Sequence, residues 1–169
     1  MKRKALIFGI KGLTLSKEES KLLRKNKPWG IILFSRNIKS LKQSQKLVRK
    51  IRELVKDKKF PILIDQEGGR VSRIGSIVNH RSYTQSYFGK LYNKNKSKFK
   101  KQYENYILEV CKILKEIGVN INTVPVLDLI DNKASRVIGD RSYSKNPREV
   151  SNIGNFLLKI YKNKRIGTV

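Results

Sequence analysis

The sequence predicts an α/β fold: the N-terminal half of a (β/α)8 TIM barrel, with four βα units and the start of a fifth strand in a single domain, residues 1–169. Three observations lead there. Short, almost continuously apolar runs alternate with segments of helical periodicity, the pattern of parallel strands covered by helices. Neither phosphate-binding fingerprint, G-x-G-x-x-G nor the P-loop, occurs, which argues against a nucleotide-binding doubly wound sheet. The second, third and fourth apolar runs turn polar at their C-terminal ends, where a barrel carries its chemistry. A whole barrel needs at least about 200 residues, so this chain supplies half of one.

The first strand is read in residues 4–12, KALIFGIKG, closed by a glycine. Ser16-Lys17-Glu18-Glu19 has the form of a capping box, in which hydroxyl and carboxylate satisfy each other's exposed backbone donors. Leu22 and Leu23 give the helix behind it an apolar face. Residues 27–37, KPWGIILFSRN, form the second strand. Ser40-Leu41-Lys42-Gln43 repeats the capping box, and Leu47, Val48, Ile51, Leu54 and Val55 follow at helical spacing. Residues 60–65, FPILID, form the third strand, and the irregular stretch 66–97 predicts a long loop with short helical turns. Tyr103, Ile107, Val110, Cys111, Leu114 and Ile117 mark a third long helix that stops near Gly118. Residues 119–129, VNINTVPVLDL, form the fourth strand, and a second irregular stretch covers 130–146. Asn146 reads as an N-cap with Pro147 at the first helical position. Val150, Ile153, Leu157 and Tyr161 then face the core, and residues 166–169 begin a fifth strand.

The net charge is +26, with 39 Lys and Arg against 13 Asp and Glu. Such a charge attracts polyanions. The positives are mostly lysines set among Asn and Ile, as in NKNKSKFKK at residues 93–101, the composition of an AT-rich coding sequence. The aromatics do not interleave with them, and there is no RNP motif, zinc-finger spacing or KH loop. No specific nucleic-acid partner is therefore expected. No apolar run reaches the roughly 20 residues that span a bilayer. The N-terminal apolar stretch is cut by Lys11, short of the ~7 to 15 residues of a signal-peptide core. A single cysteine allows no internal disulfide. These features predict a cytoplasmic chain with no membrane partner.

Four segments carry a family resemblance: WGIILFSRN (29–37), LIDQEGGRVSRI (63–74), VPVLDL (124–129) and VIGDRSYSKNP (137–147). In this order and at these separations they resemble the β-N-acetylhexosaminidases of glycoside hydrolase family 3, over nearly the whole chain. The resemblance implies a hydrolase that removes terminal N-acetylglucosamine from peptidoglycan fragments in cell-wall recycling, with no cofactor and no metal. It also implies that Asp65 contacts the sugar hydroxyls, that Arg73 is the sugar-contacting arginine eight residues on, and that Arg141 is a second one. These residue types suit the task. A carboxylate accepts from neighbouring hydroxyls, and a guanidinium donates through a rigid, permanently charged fork. Gly68 and Gly69 allow a tight turn between them.

Other readings bear on the same residues. Asp65 could instead pair with Arg73 or Arg141 to hold the rim together. Glu67 and Arg70 are expected to form a structural pair supporting the loop. Asp128 is expected to anchor the following loop, His80 to be a surface or loop residue, and Cys111 to sit in the core. Retaining glycoside hydrolysis needs a nucleophilic carboxylate and an acid/base. The resemblance implies that these are an Asp on a later strand and a His in a KHFPGHG-like segment directly after the fifth strand. Val169 lies where that segment would start, so no catalytic residue is expected in this chain. The expectation is a truncated or split hydrolase whose partner is the C-terminal half of the barrel. The alternative is a non-catalytic remnant or a basic polyanion-binding protein.

Overall fold

The computed structural model describes residues 3–130 and 137–169. Strands β1 (Lys4–Gly9), β2 (Pro28–Leu33), β3 (Ile62–Ile64), β4 (Ile121–Asn122) and β5 (Gly167–Thr168) form one sheet in the order β1-β2-β3-β4-β5. Every pairing is parallel. The sequential order is the informative feature. A doubly wound sheet reverses its strand order at a switch point, whereas a barrel adds each strand beside the last. The helices between strands are α1 (Lys17–Asn26), α2 (Leu41–Val55), α3 (Gln85–Lys94), α4 (Lys96–Ile117) and α5 (Pro147–Asn163).

Register assigns the two faces of the sheet. Ile31 lies opposite Ile62 and Leu33 opposite Ile64, and all four are fully buried in the cluster that the helices complete. Leu47, Val48 and Ile51 of α2, Ile107, Val110 and Leu114 of α4, and Val150, Ile153 and Leu157 of α5 close that core. Each such side chain contributes about 1.5–3 kcal/mol by leaving water. The other face carries Ile7, opposite Gly30, and Ile32, Leu63 and Ile121, which share register across β2 to β4. Alternation along the strand puts Asp65, just beyond β3, on this second face. Ile7 is 48% exposed there.

The capping box at Ser16 and Glu19 is complete. Asn146 caps α5 with Pro147 in its first turn, and Gly118 ends α4 in the left-handed conformation. Several boundaries differ from the expectation. At Ser40 only half of a box forms. The Ser40 hydroxyl accepts from the Gln43 amide, but the Gln43 carboxamide accepts from Lys39 and donates to the carbonyls of Leu13 and Asn37. An amide carries donors as well as an acceptor, and neighbouring loop carbonyls recruit them. Leu22 is 46% exposed, so Leu23 alone anchors α1 in the core.

β2 stops at Leu33 because Asn37 folds the next residues into a 3-10 turn, Ser35–Asn37. The Asn37 carboxamide accepts from Phe34 N–H and donates to Ile10 and Gly12. β4 pairs over two residues only, since Pro125 has no N–H to continue a ladder. The 66–97 stretch holds a ten-residue helix, α3, where a loop with short turns is expected. Of the second irregular stretch, residues 131–136 lie outside the described residues.

Candidate functional site

Asp65 leaves the end of β3 with both carboxylate oxygens engaged. Thr123 Oγ1 donates to Oδ1 at 2.6 Å, and an Arg73 guanidinium nitrogen lies 3.3 Å from Oδ2. The next residue makes that encounter possible. Gln66 is buried, and its carboxamide oxygen accepts from the backbone N–H of Arg73 at 2.8 Å and of Ile74 at 3.2 Å. The chain is thereby drawn back over the strand end, and Arg73 is returned to Asp65. Gln66 is itself held by Asn122, which accepts its N–H, donates to its carbonyl and donates to the Tyr161 hydroxyl of α5. The reversal passes through Gly68 (φ +103°) and Gly69 (φ +56°). A Cβ on Gly68 would stand 2.3 Å from the Tyr83 carbonyl and 2.7 Å from the Tyr106 hydroxyl, so only glycine fits.

Arg141 joins the same rim from the 3-10 turn Gly139–Arg141. Its guanidinium makes a two-pronged bond to Glu67, Nε to Oε2 at 2.8 Å and a terminal nitrogen to Oε1 at 2.7 Å. That bond to Glu67 raises the arginine pKa, burial opposes it, and the charges of Glu67, Asp128 and Asp65 add to the rise. Tyr106 donates its hydroxyl to the Glu67 carbonyl at 3.0 Å. Arg73 and Arg36 both lie over the ring of Phe34, at 5.6 and 4.5 Å from its centroid.

Asp65, Arg73 and Arg141 therefore meet at one end of the sheet. Asp65 and Arg73 are themselves an ion pair with about a quarter of each side chain open, 24% and 26%. The expected Glu67–Arg70 pair is not formed. Glu67 is taken by Arg141, and Arg70 turns outward to Asp140 at 2.8 Å, with further bonds to the Val137 and Ile138 carbonyls. Geometry explains the exchange: the two glycines between Glu67 and Arg70 reverse the chain, so the two side chains diverge. Asp128 anchors its loop through its main-chain carbonyl, which accepts from Ser142 Oγ at 2.7 Å.

His80 is not a surface residue. It is 1% exposed, its Nε2 lies 3.0 Å from the Glu109 carboxylate, and its ring packs against Tyr106 and Tyr83. Its carbonyl accepts from Gly69 N–H, so it supports the glycine turn from behind. Cys111 is buried, and burial pushes its thiol up to about 11, which suits a core residue and not a nucleophile. Sequence reasoning missed Thr123, Gln66 and Phe34 as site-building residues. The alternation Leu63–Asp65 and Ile121–Thr123 was the available cue for Thr123.

Among the described residues no cluster of three His, Cys, Asp or Glu side chains could hold a metal ion, and no helix is long and apolar enough to cross a membrane. The arrangement is two carboxylate–guanidinium pairs, Asp65 with Arg73 and Glu67 with Arg141, at the C-terminal ends of parallel strands. It suits a neutral ligand rich in hydroxyl and carbonyl groups, which needs both acceptors and fixed donors.

Comparison with known proteins decides the family. The chain matches the glycosyl hydrolase family 3 N terminal domain over residues 4–169. It belongs to glycosyl hydrolase family 3. Among its relatives, the chain is 32% identical over 148 residues to a beta-hexosaminidase of Thioalkalivibrio sulfidiphilus, covering 88% of this chain and 42% of the relative. It is likewise 32% identical over 149 residues to a beta-hexosaminidase of Haemophilus influenzae, covering 88% and 41%. Among solved structures, NagZ from Neisseria gonorrhoeae in complex with zinc ion superposes with a TM-score of 0.84 at 28% identity, over 96% of this chain and 48% of NagZ. NagZ in complex with N-trifluoroacetyl-D-glucosamine gives 0.82 at 27% identity, over 96% and 48%. The chain thus spans less than half the length of these relatives.

Proposed function

We propose that Asp65, Arg73 and Arg141 bind the terminal N-acetylglucosamine of a peptidoglycan fragment, as the sugar-holding part of a β-N-acetylhexosaminidase. The observation that carries this reading is the pairing of Asp65 with Arg73 on the open face of the sheet, both partly exposed, with Arg141 alongside on Glu67. Family membership, the beta-hexosaminidase relatives and a neighbour solved with a glucosamine derivative support the choice of sugar.

In this reading Asp65 accepts from two neighbouring ring hydroxyls. Thr123 and Arg73 hold its oxygens in position and Arg73 donates to the sugar beside it. Arg141, held in a fixed plane by Glu67, offers its remaining donors to a third polar group. Asp65, Arg73 and Arg141 hold the sugar in this reading and take neither the nucleophile nor the acid/base role that retaining hydrolysis requires.

Binding of N-acetylglucosamine by equilibrium dialysis tests this. Asp65→Asn and Arg73→Ala each remove a hydrogen bond to a charged group, about 1.5–3 kcal/mol, so affinity falls roughly 10- to 150-fold. The unmodified chain binds the sugar but does not hydrolyse an aryl N-acetylglucosaminide. Unchanged affinity in both variants would contradict the site; turnover by residues 1–169 would contradict the division of labour.

A further inference from the structure

The excess positive charge is unevenly arranged, and its arrangement points to a second site. On α2, Lys42, Lys46 and Arg49 are exposed at i, i+4 and i+7, within one narrow stripe of the helix. No acidic residue lies in α2 before Glu53, and none stands in its first turn, where a carboxylate would favour the helix dipole. Among the described residues, none of the three is in an ion pair. Lys42 and Lys46 stand on a ridge between two grooves, one shared with α1 and lined further by Lys50, the other shared with the end of α4 and lined further by Arg49, Arg52, Lys56 and Lys58 and by the carboxylates of Glu53, Asp57 and Glu116.

Composition alone does not produce this. The exposed middle of α5 carries Ser151, Asn152 and Asn155 and no charged residue between Glu149 and Lys159. The densest lysine run, at the start of α4, includes Lys98, Lys100 and Lys101, which the helical period of 3.6 distributes around the axis. α2 aligns its cations on one side with grooves along both flanks, and α1 beside it repeats the spacing with Lys17, Lys21 and Arg24 exposed at i, i+4 and i+7.

We propose that the outer face of α1 and α2 docks double-stranded nucleic acid through its phosphates, without reading its bases. A stripe of unpaired cations on a rigid helix matches a rigid, closely charged polyanion, and binding gains from counterion release. Neither α1 nor α2 contains an aromatic residue, so the face offers no stacking platform for a single strand. The apolar residues between the α2 cations, Leu47, Val48 and Ile51, are buried, so the stripe has nothing to insert into a lipid surface. α2 packs on the helical side of the sheet and Asp65 lies on the other, so the two sites fill independently.

The test is fluorescence anisotropy of a labelled duplex of arbitrary sequence with the full chain, at low and at physiological salt. The triple variant Lys42→Glu, Lys46→Glu, Arg49→Glu is compared with Lys98→Glu, Lys100→Glu, Lys101→Glu, which changes net charge equally. We expect the first triple to lose at least about tenfold in affinity and its salt slope to fall by about 0.9 per lost phosphate contact. The second triple is expected to lose less than about threefold, as a change in long-range field alone would give. Circular dichroism checks folding. If the first triple is unfolded, the Lys42→Gln, Lys46→Gln, Arg49→Gln version is used, with a loss of at least about fivefold expected from the same contacts. Equal losses in the two triples, no duplex binding at low salt, or a preference for anionic vesicles or an acidic peptide over the duplex would each overturn the proposal.

Discussion

Glu67 and Arg70 stand three positions apart with opposite charges, yet each finds its partner in the loop after β4. Burial decides what each partnership is worth. Glu67 is 5% exposed and holds Arg141 by two short bonds, whereas Arg70 and Asp140 are 47% and 43% exposed. Glu67→Gln, which keeps the shape but breaks the charge pairing, is expected to cost about 2–3 kcal/mol in unfolding free energy, as for a buried charged hydrogen bond. Arg70→Ala is expected to cost no more than about 1 kcal/mol. Urea denaturation of the two variants checks the contrast; equal losses would contradict it. At this scale the sequence is legible where a motif names a residue and illegible where a fold supplies the partner. Asp65, Arg73 and Arg141 could be singled out from their motifs. That Arg141 belongs to Glu67 could not, because 74 residues separate them and only the strand order brings the two loops together. His80 sits in a polar stretch that reads as surface, and its burial depends on Tyr106 and Glu109 of α4.

The elements show the same division. Long helices with regular apolar spacing, α2, α4 and α5, were legible because period alone specifies which side is buried. Strand ends were not, since single side chains such as Asn37 and Pro125 stop the ladder. α3 was obscured by a glycine at its centre, and Gly89 is where two rules compete. Replacing a helix-interior glycine by alanine ordinarily gains about 1 kcal/mol of helix propensity. Here a Cβ at position 89 would stand 1.7 Å from the Tyr143 carbonyl oxygen, a backbone atom that cannot rotate away. Overpacking of this kind costs about 1–3 kcal/mol or more, so steric conflict wins and Gly89→Ala is expected to destabilise. A raised urea midpoint for Gly89→Ala would mean that α3 is free to move off the segment that carries Arg141.

For the whole molecule, the core is also an alkaline liability. Cys111 is pushed up from its ordinary 9.0 to about 11 by burial, and Tyr103, Tyr106, Tyr143 and Tyr161 are all raised above 10.0, chiefly by burial. Each group ionises more readily in the unfolded chain. Their contribution to stability is therefore complete below about pH 9 and is lost as pH rises through 11 and beyond. Thermal melts are expected to be level from neutral pH to about 8.5 and to fall steeply above 10; a midpoint unchanged at pH 11 would contradict the buried arrangement. The general architecture was legible because parallel strands buried by helices leave a strong pattern of apolar runs. Charge placement was not, since a count of lysines carries no direction. The central claim, that Asp65, Arg73 and Arg141 form one sugar-binding rim, is tested most directly by an NMR titration of the chain with N-acetylglucosamine at millimolar concentration. Saturable shifts are expected at the Nε–H groups of Arg73 and Arg141 and at the amides of Gln66 to Gly69, and Asp65→Asn should abolish them. Shifts confined to other parts of the surface, or identical titrations in the wild type and Asp65→Asn, would contradict the account.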